Sequence, residues 1–487
     1  MHIVMLSSEC SPIAKVGGLA DVVIGLSKSL QEQGHQVNII LPKYDCMQYD
    51  QIFDLQTVYY DLPVMYRGEW HVNDVMSGVV EGIKCYFIDA KWYKHFFNRG
   101  KIYGESDDID RFAFFSKAAM EFMFKVNIEP DIIHSHDWTT ALVNILQREI
   151  YYKEGMNKPR LVYTVHNFAH QGIAHESVLD DLGVGSYLIP QECRENDHSI
   201  FNFMKTAVVY ADYITTVSPN YANEVQLTEK GMGLQYLLNK YHHKFSGIIN
   251  GIDSEYWNPK DDKYLSDHYD VDSVDKKYKN KEALREKFWL RNEYKPIVAV
   301  VSRLVQQKGV DLIKHGIFYS LSQGAQFVLL GSSPNPQISQ EFAEVKELLN
   351  DNPDCHLEFG FNEALSHLVY AGADIILIPS LFEPCGLTQL IGMRYGTVPV
   401  ARLTGGLADT VYDVEYGRAP EAKRNGYTFI DATKPGVEFA LGRAIHDWFE
   451  EPKQFRKLIK NGMKSDFSWE ASAKKYVKIY KYLHSQM

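Results

Sequence analysis

The chain has 487 residues, more than one ordinary hydrophobic core organises, so two domains of a few hundred residues each are expected. Its formal charge is −11, from 51 basic and 62 acidic residues interspersed along the sequence, which argues against nucleic acid or an anionic membrane as the main partner. Six cysteines without a C-x-x-C pair (Cys10, Cys46, Cys85, Cys193, Cys355, Cys385) fit reduced thiols better than a disulfide frame or a zinc site.

No run approaches the ~20 apolar residues that a membrane span needs, and the strand-like start Met1–Leu6 lacks the apolar core of a signal peptide. A cytoplasmic protein is the expectation. With 31 Tyr and 25 Phe, stacking on sugar faces is one use for the aromatic load, although most of these residues individually read as ordinary core or surface.

In chain order, β-rich runs at Ile3–Leu6, Val37–Leu41, Ile132–His134, Leu161–Thr164 and Ile214–Val217 alternate with helical patterns such as Asp21–Gln33 and Arg111–Val126. This alternation predicts a parallel, doubly wound α/β sheet. After the first run comes Lys15-Val16-Gly17-Gly18-Leu19-Ala20-Asp21, where paired glycines let a backbone approach a phosphate and Lys15 adds a positive charge. Alone, such a pair is usually a tight turn. His134-Ser135-His136-Asp137-Trp138 and Tyr163-Thr164-Val165-His166-Asn167 end two further strands, which would bring Asp137, Trp138, His166 and Asn167 to a cleft. Neighbouring histidines suggest zinc, yet no carboxylate or cysteine ligand set accompanies them at the usual spacing, so no metal is expected.

Asp261–Lys287, dense in Asp, Lys and Tyr, reads as a solvated linker and surface helix, with a hinge near Asn250-Gly251-Ile252-Asp253. It contains Asp270-Val271-Asp272, a pattern that elsewhere holds a divalent metal under a diphosphate, but which here reads as a solvated acidic run. The strand-and-helix alternation restarts after Pro296 with Ile297–Val301, Gln326–Leu330, His356–Phe359, Ile375–Ile378 and Val398–Ala401, predicting a second doubly wound sheet. Trp469–Leu483 has helical spacing and is placed back over the first domain.

Two motifs of the second half carry chemistry. Ser302-Arg303-Leu304-Val305-Gln306-Gln307-Lys308-Gly309 sets two cations at a strand's carboxyl end, where Arg303 can fork onto phosphate oxygens and Lys308 can follow as a point charge. Pro379–Leu390 leads from a buried strand into a helix. N–H groups at Gly386, Leu387 and Thr388 can face a phosphate, and Glu383 can hydrogen-bond sugar hydroxyls. A sugar diphosphate needs both features.

Together with Thr404-Gly405-Gly406-Leu407-Ala408-Asp409-Thr410, these motifs resemble the bacterial glycogen synthases and plant starch synthases, in order and across essentially the whole chain. The resemblance implies the glycosyltransferase B fold, two Rossmann-like domains facing a cleft, here bounded as 1–253 and 254–465 with a returning helix at 466–487. It implies transfer of glucose from ADP-glucose to the non-reducing end of an α-1,4-glucan with retention, without metal or cofactor. ADP-glucose and a glucan or maltooligosaccharide are then the partners, and association with starch or glycogen granules is open to such an enzyme. The compartment would be the cytoplasm, or the plastid stroma if the source is a plant.

By position, the resemblance assigns Lys15 and Gly18 to the donor diphosphate, Asp21 and Asn250 to the donor side, and Cys385, Gly386, Leu387 and Thr388 to ADP. Arg303 and Lys308 would neutralise the leaving group, Glu383 would hold glucose hydroxyls, and His166 would sit beside the anomeric centre. Asp137 and Asn167 would order the sugar, with Glu9 and Trp138 nearer the acceptor. Phe361 falls where the family often places a Tyr against adenine. Many related transferases carry a second glutamate eight residues after the first, where this chain has Ile391, which favours the synthases. Valine in the Lys-Val-Gly-Gly-Leu loop is similar to the plant soluble starch synthases of classes III and IV and their cyanobacterial relatives. Two rival readings remain at this stage: another nucleotide-sugar transferase of the same fold, using UDP-glucose or resembling sucrose synthase, and a weakly catalytic glucan-binding or initiation scaffold.

Overall fold

Continuous apolar runs such as Ile3-Val4-Met5-Leu6, all buried, are what a strand covered on both faces requires. In the computed structural model, which describes every residue except Trp92, Phe361, Arg418 and Met487, such runs form the centres of two sheets. The chain divides into a first unit, Met1–Gly251 with Trp469–Met487, and a second unit, Ile252–Ser468.

The first unit's strands are β1 (His2–Leu6), β2 (Gln36–Pro42), β3 (Phe53–Tyr66), β4 (Glu69–Val80), β5 (Ile83–Asp89), β6 (Ile132–His136), β7 (Arg160–Val165), β8 (Ile173–His175), β9 (Ile200–Asn202), β10 (Tyr213–Thr216) and β11 (Phe245–Gly247). Nine of them make one sheet in the order β11-β10-β7-β6-β1-β2-β5-β4-β3, while β8 and β9 pair separately. The sheet is parallel from β11 to β5. Beyond β5, however, it ends in antiparallel β4 and β3, so the expectation of an all-parallel sheet needs correcting at this edge. The β3–β4 connection is a tight turn at Arg67-Gly68, which antiparallel strands allow and parallel ones do not.

The C-terminal helix Trp469–His484 belongs to this unit. Its Tyr480 hydroxyl lies 2.8 Å from His134 Nδ1, and Ser472 Oγ donates to the Ile249 carbonyl at 2.6 Å.

The second unit holds β12 (Ile297–Arg303), β13 (Gln326–Ser332), β14 (Cys355–Phe359), β15 (Ile375–Ile378), β16 (Val398–Arg402) and β17 (Tyr427–Phe429), in the order β14-β13-β12-β15-β16-β17 and parallel throughout. The order reverses between β12 and β15, the place where an open α/β sheet leaves a crevice at its carboxyl edge.

The segment 261–287 departs from the solvated linker its composition suggested. Asp262, Lys277 and Lys281 are buried, and the polar head of each is met by a partner. Lys281 Nζ lies 2.7 Å from Asp374, Lys277 Nζ donates to the carbonyls of Tyr370 and Ala371 and to Thr397, and Asp262 accepts from Tyr395 and faces His367 Nδ1 at 2.7 Å. Asp270, of the D-x-D pattern, accepts from the backbone of Asp272 and Ser273 and so closes its own turn. Among the described residues no group of three or more His, Cys, Asp or Glu is disposed to hold a metal, and no helix is long and apolar enough to cross a membrane.

Candidate active site

Adjacent parallel strands deliver adjacent loops, and in the first unit β1, β6 and β7 are neighbours. Their carboxyl ends carry the Lys15 loop, Asp137 and His166. The Lys15 loop is held from below by Glu9, whose buried carboxylate Oε2 accepts the N–H groups of Val16 (2.7 Å) and Gly17 (2.9 Å), while Oε1 accepts the Tyr103 hydroxyl at 2.9 Å. Gly18 opens the helix Gly18–Glu32, so its N–H belongs to the set a first turn leaves free. Lys15 Nζ is 2.7 Å from Asp21 Oδ1.

Three histidines pack at the ends of β6 and β7. The rings of His134 and His136 stack with centroids 4.2 Å apart, His134 Nε2 is 2.6 Å from Thr164 Oγ1, and His136 Nδ1 is 3.1 Å from His166 Nε2. Burial lowers all three pKa values, that of His134 and His166 to about 3, so each ring is a neutral imidazole at pH 7. Asp137 follows in the left-handed region (φ 56°), a conformation that costs a non-glycine residue energy, and its Oδ1 accepts the His166 N–H at 2.7 Å. Desolvation raises its carboxyl to about 7, against the opposing pull of the His166 and Asn167 N–H groups.

Trp138 sits edge-on to Phe112 (5.5 Å, 82°) and beside Phe203. Asn167 Oδ1 accepts the Ala169 N–H. Asn250, at the end of this unit, is buried with its side-chain oxygen unpartnered among the described residues.

In the second unit β12 and β15 are the neighbours flanking the order reversal, and their loops interlock. The Leu381 N–H donates to the Gln307 carbonyl at 2.8 Å, and Gln307 Nε2 to that of Phe382 at 3.2 Å. Gly309 (φ 73°) comes so close that a Cβ there would lie 2.3 Å from the Pro379 carbonyl oxygen. This lock places Lys308 Nζ 2.5 Å from Glu383 Oε2, an oxygen that also accepts the Ser380 hydroxyl at 2.9 Å. Ser302, Lys308, Glu383, Gly386 and Thr388 line one cavity. Arg303, the last residue of β12, is exposed.

The helix after Glu383 is Thr388–Arg394, short at 7 residues, so the local N–H groups of Gly386, Leu387 and Thr388 matter more there than a long helix dipole. Cys385 is buried, and its carbonyl carbon backs onto Gly406. Phe361 lies outside the described residues.

The structure thus gathers Lys15, Gly18, Asp21, Glu9, Asp137 and His166 at one sheet edge, and Arg303, Lys308, Glu383 and Gly386–Thr388 at another. Sequence reasoning left His136, Tyr103 and Ser380 without roles, although each touches an assigned residue. The spacing of His136 and His166, each ending one of two paired strands, could have pointed to the first of these.

Known proteins resemble the chain along its length. The family model for the starch synthase catalytic domain matches residues 2–240, and that for glycosyl transferases group 1 matches residues 281–465. Glycogen synthase 2 of Methylococcus capsulatus is 51% identical over 492 residues, covering 100% of both chains, and glycogen synthase 1 of Nitrosococcus oceani is 50% identical, covering 99% of each. Among solved structures, the catalytic domain of starch synthase IV from Arabidopsis thaliana, bound to ADP and acarbose, superposes with a TM-score of 0.95 at 42% identity, covering 99% of each chain. With this likeness along its full length, the chain belongs to the glycogen and starch synthase family of glucosyltransferases.

Proposed function

We propose that the chain moves glucose from ADP-glucose to the non-reducing end of an α-1,4-glucan, with retention and without a metal ion. The observation that carries the reading is the pair on neighbouring strand ends, Lys308 against Glu383, with the Gly386 and Thr388 backbone in the same cavity. One carboxylate oxygen is engaged by Lys308 and Ser380, while Oε1 accepts no hydrogen bond among the described residues and is available to sugar hydroxyls. The solved relative bound to ADP and acarbose supports a nucleotide and an oligosaccharide as ligands.

In this mechanism the bond from the glucose C1 to the diphosphate oxygen breaks, and an acceptor hydroxyl forms the new C1–O bond on the same face. The acceptor proton passes to the departing phosphate oxygen. Arg303, Lys308 and the Gly386–Thr388 N–H groups take up the negative charge that grows on the leaving group, the service a divalent ion gives elsewhere. His166, neutral and oriented by His136 and Asp137, supplies a polar group beside the sugar without adding charge. A double displacement would need a free carboxylate at the β-face, and Asp137 is a poor candidate because it is partly protonated near pH 7 and bonded to the His166 N–H.

Nucleotide release from ADP-glucose and from UDP-glucose, each with and without maltooligosaccharide in EDTA, tests the reading. Glucan-dependent ADP release that survives EDTA is expected. Preference for UDP-glucose, or release indifferent to glucan, would favour another transferase of this fold or a scaffold.

A further inference from the structure

The C-terminal helix Trp469–His484 is fastened to the first unit at both ends. Its buried face runs through Trp469, Ala473, Tyr476, Tyr480 and Leu483, the spacing of one helical stripe. A Cβ at Gly25 would lie 2.1 Å from Trp469 Nε1, so the helix Gly18–Glu32 admits that indole only because residue 25 has no side chain. Past the other end, Arg160 Nη2 donates to the Gln486 carbonyl at 2.7 Å. The stripe is held in register, and it delivers the Tyr480 hydroxyl to one place, 2.8 Å from His134 Nδ1.

That contact has a direction. Tyr480 is fully buried, and among the described residues its hydroxyl meets no polar atom other than His134 Nδ1. A buried phenol O–H without an acceptor is costly, so the hydroxyl donates and Nδ1 accepts. His134 is neutral, hence its one N–H is on Nε2 and donates to Thr164 Oγ1 at 2.6 Å. The Thr164 hydroxyl in turn donates to Thr215 Oγ1 at 2.6 Å. One chain of hydrogen bonds, from Tyr480 through His134 and Thr164 to Thr215, thus engages both nitrogens of the His134 ring and leaves it a single tautomer and orientation.

The ring so held is the floor under the site. Residues two apart on a strand share a face, and His136 stacks on His134 with centroids 4.2 Å apart and planes 27° apart. Among the described residues the His136 ring has one polar contact, His166 Nε2 at 3.1 Å, so the stack on His134 is what sets its plane. We propose that Tyr480 is a positioning residue for glucosyl transfer, acting through His134 and His136 on His166, so that the last helix of the chain serves turnover as well as folding. The inference rests on the role given to His166 above.

The test measures kcat, the KM for ADP-glucose and for maltooligosaccharide, and the thermal midpoint, in the full chain carrying Tyr480→Phe, Thr164→Val, His136→Ala or Tyr480→Phe with His136→Ala. Tyr480→Phe keeps the ring and removes only the hydroxyl. Its kcat is expected to fall about ten-fold, the lower end of what losing a partner that orients a functional histidine costs, with both KM values unchanged. Thr164→Val, which releases the opposite nitrogen of His134, should give the same pattern. In the double variant the Tyr480 substitution should cost nothing beyond His136→Ala, because the ring through which it acts is gone. Wild-type kcat in Tyr480→Phe would overturn the proposal, as would losses that multiply in the double variant, the mark of a side chain that serves folding alone. His166→Ala separates the proposal from its foundation: near-normal turnover there removes the role of His166 itself, whereas a severe loss there beside an unaffected Tyr480→Phe removes only the part given to Tyr480.

Discussion

Lys308 Nζ lies 2.5 Å from Glu383 Oε2, and Lys15 Nζ lies 2.7 Å from Asp21 Oδ1, so both lysines assigned to the diphosphate are paired with a carboxylate within their own unit. Neither cation waits free; a diphosphate must compete for each. Glu383→Ala is expected to lower kcat at least about hundred-fold by removing a sugar ligand, while ADP binding measured by calorimetry holds or tightens because Lys308 is released. A fall in ADP affinity that matches the fall in kcat would assign Glu383 to loop structure instead.

His136 gives a second prediction, because its only polar contact through Nδ1 is the His166 ring and its Nε2 is buried without a partner among the described residues. It acts as a positioning residue. His136→Ala should reduce kcat by about ten- to hundred-fold, the scale for removing a partner that orients a functional histidine, with the ADP-glucose KM little changed. Water entering the vacated space should also bring the titration of His166 up into the range visible in a kcat pH profile. A raised KM with kcat intact would show that the ring serves binding or folding alone.

Glu9 separates a positional assignment from a geometric one. Its carboxylate accepts the Val16 and Gly17 N–H groups, so Glu9→Ala should loosen the Lys15 loop and raise the ADP-glucose KM about ten-fold, as expected for losing charge-assisted hydrogen bonds. A rise confined to the glucan KM would return Glu9 to the acceptor role that resemblance gives it.

Much of this architecture was legible because buried parallel strands are written as unbroken apolar runs, and because Gly309 and the glycines of Gly405-Gly406 mark where two backbones nearly touch. A Cβ at Gly405 would sit 1.9 Å from the Glu383 carbonyl oxygen. Less legible was anything that depends on a partner far along the chain. Lys277 and Lys281 read as solvent-facing charges until Tyr370, Ala371 and Asp374 are brought to them. The antiparallel edge β3–β4 carries register shifts between Phe53 and Leu62, which blur the alternation that would have announced it. The His136–His166 contact likewise arises only once β6 and β7 pair.

The histidine cluster also sets a pH dependence. His134 and His136 are fully enclosed and neutral, with folded pKa values below the ordinary histidine value, so the unfolded chain binds more protons as pH falls below about 6.5. Their contribution to stability is complete above that pH and is lost as pH falls, for His134 down to about pH 3, by at most about 1.4 kcal/mol per pH unit for each ring. Asp137 works in the opposite sense: its folded value near 7 means that the native state holds the extra proton, and stability falls as pH rises from about 4 to 7. Asp137→Asn, which keeps an acceptor for the His166 N–H without a charge, should therefore gain on wild type as pH rises through that window. Urea unfolding of both proteins at pH 5, 6 and 7 checks this, and a difference that does not vary with pH would contradict the assignment.

The most direct test of the central claim, that fixed cations on the end of β12 carry the leaving diphosphate, is the turnover of Lys308→Ala with ADP-glucose and maltooligosaccharide in EDTA, alongside its thermal midpoint. The account predicts a fall in kcat of about 10²–10³, as for removing one preorganised charge-stabilising group, in a protein that still unfolds cooperatively. Near-normal turnover in that variant would contradict it.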